Sequence, residues 1–229
     1  MTIKERVTSM RVAIFDFDGT LYEKETYQLL MNHLKTHPLY RKRYPKFIRT
    51  IFPPYIAHKA KLYPEGKMRS QSMQIYLQAL EQLTIEEADI FFEQIAQKMK
   101  ADFNPKIIEK VQEHAENGDH IMLVSGAFTP LLHVATEGLP FHTIIGTDIP
   151  IANGKILASA PISHIQGTIK NDKIQQYLAG QTIDWKNSAA YADSYSDLSV
   201  LSLVGHPIAV DPDKKLQNIA TRRGWTILS

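Results

Sequence analysis

Two aspartates two residues apart, Asp16 and Asp18, form the pair whose chemistry is easiest to state from the sequence. They follow the apolar run Arg11 to Phe15, which is typical of a short buried strand. Alternate side chains of a strand point to the same side, so we expect both carboxylates to face one site. Two carboxylates this close repel each other unless one is protonated or a cation lies between them. The pair therefore predicts a Mg²⁺ site, because Mg²⁺ prefers oxygen ligands.

The same pair could divide the work of a covalent reaction. A metal-bound carboxylate stays ionised and can act as a nucleophile, while its neighbour holds a proton for a leaving group. Alone, two acidic residues after a strand fit a solvated loop equally well. The choice between these interpretations depends on the rest of the chain.

Polar residues also end two further apolar segments. His120 to Ser125 (HIMLVS) is followed by Gly126 and a helical stretch, and Ser188 to Asp193 (SAAYAD) is followed by a helix near Asp197. Alternating strands and helices predict an α/β fold whose core is a Rossmann-like, doubly wound parallel sheet. Ligands bind at the carboxyl ends of the strands in such sheets. We therefore expect three remote parts of the chain to contribute polar groups to one site.

Residues 22–102 interrupt this alternation and show only helical patterns, which predicts an all-helical cap domain inserted into the core. The predicted α/β catalytic core comprises residues 1–21 and 103–229. Local patterns within these segments predict a capping box at Thr84 and Glu87, a break or kink at Pro53-Pro54, a helix start at Asn104-Pro105 and a β-hairpin at Asn153-Gly154.

Composition excludes several classes of function. The chain has 229 residues, a net charge of +2 and no cysteine, so disulfide frameworks, cysteine–zinc sites and thiol nucleophiles are excluded and nothing favours a nucleic-acid partner. No apolar run approaches the ~20 residues that span a bilayer, and the first ten residues, MTIKERVTSM, hold no apolar stretch of signal-peptide length. We expect a cytoplasmic protein with no membrane partner.

Four motifs occur in a fixed order along the chain. They are DFDGT at residues 16–20, LVSGAF at residues 123–128, Lys173 in the helical segment NDKIQQYL, and YADSYSDLSVL at residues 191–201. Together they resemble the motifs of the haloacid dehalogenase-like superfamily, and more narrowly its phosphoserine-phosphatase-like branch, subfamily IB. The resemblance runs from about Val12 to Trp225. It implies a Mg²⁺-dependent phosphatase acting on a small phosphorylated metabolite.

The resemblance also assigns roles to individual residues. It implies that Asp16 is the nucleophile that forms an aspartyl-phosphate and that Asp18 is the general acid and base. Ser125 and the Gly126 amide would bind phosphate, and Lys173 would balance the charge of Asp16 and the phosphate. The residues implied to hold or position the metal are Asp16, Asp18 through its carbonyl oxygen, Asp193 and Asp197.

The substrate is less well defined. Glu25 matches a glutamate that contacts the substrate amine in phosphoserine phosphatases, but the only arginine of the stretch from Glu65 to Leu83, Arg69, does not align with the arginine that binds the substrate carboxylate. Phosphoserine phosphatase proper therefore remains open as the function.

Two different functions also fit part of the sequence: a haloacid dehalogenase, and a non-catalytic protein that binds anions through its basic cap. Residues 35–69 carry ten lysines and arginines and one acidic residue, which fits either a solvated helical face or a basic rim that attracts anions.

Overall fold

A six-stranded parallel sheet forms the centre of the protein, in the order β3-β2-β1-β6-β7-β8. The computed structural model describes residues 9–229, so the first eight residues of the predicted core segment 1–21 lie outside it. The strands of this sheet are β1 (Val12–Phe15), β2 (His120–Phe128), β3 (Thr143–Thr147), β6 (Ala189–Ala192), β7 (His206–Val210) and β8 (Thr226–Leu228). The predicted parallel sheet is confirmed, and its first strand lies at the centre.

Helices cover both faces of the sheet. As a result, the side chains of β1 enter two separate apolar cores, one on each face. Ala13 and Phe15 pack in the core that includes the inserted helices, whereas Val12 and Ile14 pack in the core on the opposite face. The helices are α1 (Thr26–Thr36), α2 (Tyr44–Lys59), α3 (Glu65–Ala79), α4 (Ile85–Met99), α5 (Pro105–Glu116), α6 (Thr129–Ala135), α7 (Thr168–Tyr177), α8 (Leu198–Leu201) and α9 (Lys214–Arg223).

Several local predictions are confirmed because short-range hydrogen bonds decide them. The Thr84 hydroxyl accepts a hydrogen bond from the Glu87 amide, and the Glu87 carboxylate accepts one from the Thr84 amide, which forms the capping box of α4. Asn104 caps α5 through its side chain. The short strands β4 (Ile151–Ala152) and β5 (Lys155–Ile156) pair antiparallel around the predicted turn.

The alternative of a break or turn between helices at Pro53-Pro54 is wrong, whereas the alternative of a kink stays a prediction. Both prolines lie inside α2, which continues to Lys59. A proline removes one backbone hydrogen bond to the residue four positions earlier, here Arg49 and Thr50. These two residues are exposed, so we infer that water satisfies their carbonyl groups.

Helices α1 to α4 lie between β1 and α5 in the chain and contact the core along one side. The Gln74 side chain of α3 donates to the carbonyl groups of Ala158 and Ala160, at 2.8 and 3.1 Å. The Gln166 side chain, just before α7, donates to the carbonyl of Gly66 at 2.7 Å. Among residues 9–229, no helix has both the length and the apolar character needed to cross a bilayer.

Candidate active site

The carboxyl ends of three neighbouring strands bring the predicted acidic residues and Ser125 together. Phe15 of β1 pairs with Leu123 of β2 on one side and with Tyr191 of β6 on the opposite side. Asp16 follows Phe15 directly, and its amide donates to the Tyr191 carbonyl at 2.9 Å. Ser125 and Asp193 each lie two residues beyond these partners. The sheet therefore places Asp16 near two side chains that are each more than a hundred residues away from it in the chain.

A cluster of three carboxylates forms at this edge. Asp16, Asp193 and Asp197 each place one oxygen so that the three oxygens lie within 4.8 Å of one another. The buried Lys170 ammonium donates to Oδ1 of Asp16 at 2.7 Å and to Oδ1 of Asp197 at 2.5 Å. Three ionised carboxylates and one ammonium leave a charge of −2 in a largely buried site.

Burial disfavours the ionised form of these carboxyl groups, and their raised pKa values show which of them is affected most. Burial raises the pKa of Asp16 to about 6, although the Lys170 ammonium opposes the shift. Burial, followed by the charges of Asp16 and Asp197, raises the pKa of Asp193 to about 8. Burial works against the charge of Lys170, but the carboxylates of Asp16 and Asp197 outweigh it and keep its pKa above the usual range. Lys170 therefore stays charged. Of the three carboxylates, Asp193 is the one whose negative charge is least offset by a nearby positive charge.

The cluster fits a divalent cation. Within the described residues, the hydrogen bond that stabilises the Asp193 carboxylate comes from its own backbone, so its oxygens remain available to a metal. The remaining charge of −2 equals the charge that Mg²⁺ would neutralise, and all the donors are hard oxygens. Gly19 keeps this space open: its φ is +74°, and a Cβ atom there would lie 2.4 Å from Oδ2 of Asp193.

The Asp18 carboxylate does not belong to this cluster. Its Oδ1 accepts a hydrogen bond from the Thr26 amide at 2.9 Å and another from the Thr26 hydroxyl, at the start of α1. Burial raises the pKa of Asp18 to about 7, against the effect of these hydrogen bonds. The Asp18 side chain is therefore held by Thr26, and its backbone carbonyl stays the predicted metal ligand. The sequence analysis missed Thr26, and no motif pointed to it.

The lysine of the site is Lys170, and the prediction of Lys173 is wrong. The Lys173 ammonium lies 3.5 Å from the Gln176 side chain, on the outer side of α7. Lys170 shares a buried face with Ile174 and Leu178 at intervals of four residues, which directs it toward the sheet. That spacing was the signal in the sequence that could have identified Lys170.

The predicted phosphate-binding residues lie at a tightly packed bend. The Ser125 hydroxyl accepts from the Ala127 amide at 3.1 Å, which leaves its hydrogen free to donate. A Cβ atom on Gly126 would lie 2.8 Å from Nε2 of His164, so only glycine fits there without movement. His164 is buried, and burial lowers its pKa to about 4, so it is neutral. The sequence analysis did not single out His164.

The remaining predicted site residue, Glu25, and the non-aligning Arg69 both belong to the inserted segment. Glu25 is exposed at the start of α1, close enough to add to the raised pKa of both Asp18 and Asp193. The Arg69 guanidinium pairs with the Glu65 carboxylate at 2.9 Å. The Glu65–Arg69 pair lies at a cleft of about 490 Å³. Its lining also includes Gln166, Ser196, Lys214 and Lys215.

Comparison with known families and sequences gives a consistent result. The family model described as haloacid dehalogenase-like hydrolase matches residues 13–202. The phosphoserine phosphatase SerB1 of Mycobacterium tuberculosis is 29% identical over 119 residues, which cover 52% of this chain and 39% of that protein. The histidinol-phosphatase of Neisseria meningitidis is 30% identical over 131 residues, which cover 52% of this chain and 55% of that protein. This chain thus matches less than two thirds of the length of either relative.

Solved structures show the same fold. A protein of unknown function from Bordetella pertussis Tohama I superposes with a TM-score of 0.80 at 21% identity, covering 97% of this chain and 99% of that one. A phospho-aspartyl intermediate analogue of phosphoserine phosphatase superposes with a TM-score of 0.63 at 18% identity, covering 96% and 93%. At these identities the likeness establishes the fold, which agrees with the sheet described above.

The first prediction concerns electrostatic repulsion in the carboxylate cluster. In buffer at pH 8 without divalent cations, Asp193→Asn should raise the free energy of unfolding by about 1 kcal/mol, because it removes a poorly compensated charge. Urea denaturation of the wild type and the variant would measure this difference. Asp89→Asn, on an exposed part of α4, is the control and should change stability little. A destabilised Asp193→Asn protein would contradict the repulsion.

Proposed function

Because this chain belongs to the haloacid dehalogenase-like hydrolase family, we propose that it is a phosphatase that hydrolyses small phosphate monoesters through Asp16. The observation that carries the proposal is the Asp16 carboxylate at the end of the central strand, hydrogen-bonded to Lys170 and next to Asp193. This arrangement combines a nucleophile, a fixed positive charge and donors for a metal.

In the first half-reaction, an oxygen of the Asp16 carboxylate attacks phosphorus. The bond between phosphorus and the ester oxygen breaks, and Asp18 donates a proton to the departing alcohol. Lys170 stabilises the negative charge that Asp16 and the phosphoryl group share. The Ser125 hydroxyl and the Gly126 amide donate hydrogen bonds to the phosphoryl oxygens.

In the second half-reaction, water attacks the phosphorus of the aspartyl-phosphate. Asp18, now ionised, takes a proton from this water, and the bond between phosphorus and the Asp16 oxygen breaks. Phosphate leaves, and both carboxyl groups return to their starting states. A pKa of about 7 suits Asp18 to donate and then accept a proton near neutral pH. The hydrogen bonds from Thr26 hold its carboxylate in place.

Mg²⁺ would be held by the carboxylates of Asp16 and Asp193 and by the carbonyl oxygen of Asp18. When bound, it supplies positive charge that offsets the repulsion between the phosphate and the carboxylates. Asp197 uses Oδ1 to hold Lys170 and accepts from the Ser196 hydroxyl through Oδ2, at 3.1 Å. It therefore acts mainly by orienting Lys170, and any contact with a metal would run through water.

We further propose that residues 22–102 act as a cap over a core formed by residues 1–21 and 103–229. Helices α1 to α4 fall in this inserted segment, and it brings Glu25 toward Asp18 and Asp193. The cap limits access, which favours a small metabolite over a macromolecule.

The two rival functions fit the site less well. A dehalogenase would use Asp16 but would need neither an acid at Asp18 nor a metal, whereas Asp193 adds a carboxylate that only a cation compensates. A protein that merely binds anions would have no use for a cluster of three acidic residues beside one lysine, because they repel an anion.

The second prediction tests this function with p-nitrophenyl phosphate. The wild type should release p-nitrophenol in the presence of Mg²⁺ and lose this activity in excess chelator. Asp16→Asn should reduce kcat by a factor of about 10³ or more, since the nucleophile is gone. Its circular dichroism spectrum and unfolding transition should match those of the folded wild type. Activity in the Asp16→Asn protein within tenfold of the wild type would refute the proposed role of Asp16.

The third prediction distinguishes the two lysines of α7. Lys170→Met should reduce kcat by about 10²-fold or more, because it removes the charge that faces Asp16. Lys173→Met, three residues later on the outer side of the same helix, is the matched control and should stay within about twofold of the wild type. The reverse order would restore the assignment of the third motif to Lys173.

The substrate class follows from the charges around the cleft. Glu25 offers a partner for a substrate amine, but Arg69 is already paired with Glu65. A carboxylate buried without a cation would cost several kcal/mol. We therefore propose an amino-alcohol phosphate without a carboxylate as the preferred substrate. Histidinol phosphate, the substrate named for the Neisseria relative, has this chemistry, whereas phosphoserine, named for the mycobacterial one, does not.

The fourth prediction compares substrates that differ in a single group. Phosphoethanolamine lacks only the carboxylate of phosphoserine, so its kcat/KM should equal or exceed that of phosphoserine. Histidinol phosphate is the third substrate of the comparison. A preference of tenfold or more for phosphoserine would show that a cation of the cap binds the carboxylate. A selective loss of phosphoserine turnover in Arg69→Ala would then identify that cation.

A further inference from the structure

Positive charge is concentrated in one part of the inserted segment. Residues 35–69 carry ten of the 26 lysines and arginines but one of the 24 acidic residues, so this stretch has a charge of +9. The rest of the chain has a charge of −7. The net charge of +2 is therefore the sum of a strongly basic stretch and an acidic remainder. The proposed reaction uses none of these basic residues, and Arg69 alone among them bears on the choice of substrate.

The helix at the centre of this stretch, α2, also exposes apolar side chains. Phe47 and Ile51 are buried and attach the helix to the protein. The large apolar residues that remain exposed on it are Ile48, Phe52, Tyr55 and Ile56, with Phe52 exposed to 57%. In the turn that follows α2, Leu62 is exposed to 80%. Several large exposed apolar side chains on one surface helix suggest a binding partner.

These apolar residues lie along one side of the helix. Residues 48, 52, 55 and 56 are spaced by three, four and seven positions, which places them within one stripe. Lys46 and Arg49 lie beside this stripe, on the side away from the buried residues. The Lys59 ammonium lies 5.5 Å from the centre of the Tyr55 ring, so its charge is at the C-terminal end of the stripe. We call the four apolar residues with Lys46, Arg49 and Lys59 the α2 face.

The turn after α2 extends the α2 face. The amide of Leu62 donates to the Ala57 carbonyl at 2.9 Å, and the His58 ring lies 3.0 Å from the Tyr63 carbonyl. These contacts fix the turn while the Leu62 side chain remains in solvent. Lys61 adds a further positive charge beside it.

We propose that the α2 face binds the surface of an anionic lipid bilayer. An apolar stripe bordered by lysine and arginine on a helix that lies flat on the protein is the arrangement that enters the boundary between headgroups and acyl chains. The basic side chains would contact the lipid phosphates, and their aliphatic stems would cover apolar surface. The exposed residues of the α2 face run from Lys46 to Lys59, nearly the whole length of the helix.

Charge argues against a second copy of the chain as the partner. Two α2 faces in contact would bring together the lysines and arginines of both copies with almost no acidic residues to balance them. The expectation that the protein has no membrane partner depended on the lack of a spanning segment, and a surface helix does not need one. The proposal concerns location and does not depend on the phosphatase activity.

The fifth prediction is tested by co-sedimentation of the full chain with lipid vesicles. At low salt, the wild type should bind vesicles containing about one third phosphatidylglycerol at least tenfold more tightly than vesicles of phosphatidylcholine alone. Added salt should weaken this binding. Phe52→Ser with Ile56→Ser should reduce binding to the anionic vesicles about tenfold, and so should Lys46→Glu with Arg49→Glu.

Matched variants elsewhere control for general effects of apolar area and charge. Ile90→Ser removes an exposed apolar residue of α4, and Lys186→Glu with Arg222→Glu removes two exposed charges of the core. Both proteins should bind vesicles almost as well as the wild type does. All variants should keep the wild-type unfolding transition and turnover of p-nitrophenyl phosphate, which separates loss of binding from loss of folding or activity.

Three outcomes would overturn the proposal. The first is equal or undetectable binding of the wild type to both kinds of vesicle at low salt. The second is a dimer in sedimentation equilibrium that Phe52→Ser with Ile56→Ser dissociates, which would make the α2 face a self-interface. The third is binding to soluble polyglutamate that matches binding to anionic vesicles and is unaffected by the apolar double variant, which would indicate an acidic protein partner.

Discussion

The site depends on one buried ammonium group, that of Lys170, between the carboxylates of Asp16 and Asp197. Burying charged groups is costly unless they are paired and hydrogen-bonded, and removing one partner leaves the remaining groups uncompensated. The lysine therefore allows Asp16 to remain ionised at the end of a buried strand. It also joins the end of β1, helix α7 and the residue before α8 through a single group. The remaining negative charge makes the site suited to a divalent cation.

The position of β1 explains why the site lies where it does. A central strand has a neighbour on each side, so residues at its carboxyl end meet those of β2 and β6. The alternation of its side chains between two apolar cores leaves Asp16 as the first residue beyond the packed part of the strand. The turn at Gly19 then passes so close to Asp193 that no side chain fits between them. Backbone topology, rather than local sequence, brings these acidic residues together.

The inserted helices differ from the rest of the chain in charge and in exposed apolar surface. The core supplies the acidic residues and the lysine of the proposed reaction, whereas helix α2 and its flanks carry a concentrated positive charge and exposed apolar side chains. Such a separation lets one part of the chain perform chemistry while another determines where the protein is held. The contacts of Gln74 and Gln166 connect helix α3 with residues near the cleft, so this helix is held against the rest of the chain.

Local sequence patterns were enough to predict the features that depend on near neighbours in the chain. These are the order of strands and helices, the caps at Thr84 and Asn104, the turn at Asn153 and the acidic residues at strand ends, because their patterns repeat over a few residues. Three features became clear from the tertiary structure: which lysine of α7 enters the site, that the Asp18 carboxylate turns to Thr26, and that α2 continues through two prolines. Each of these depends on how a helix is rotated or supported against distant parts of the chain. Packing against the sheet sets that rotation; for α7 the spacing of Lys170 from Ile174 and Leu178 indicates part of it, whereas matching a motif by a lysine alone does not.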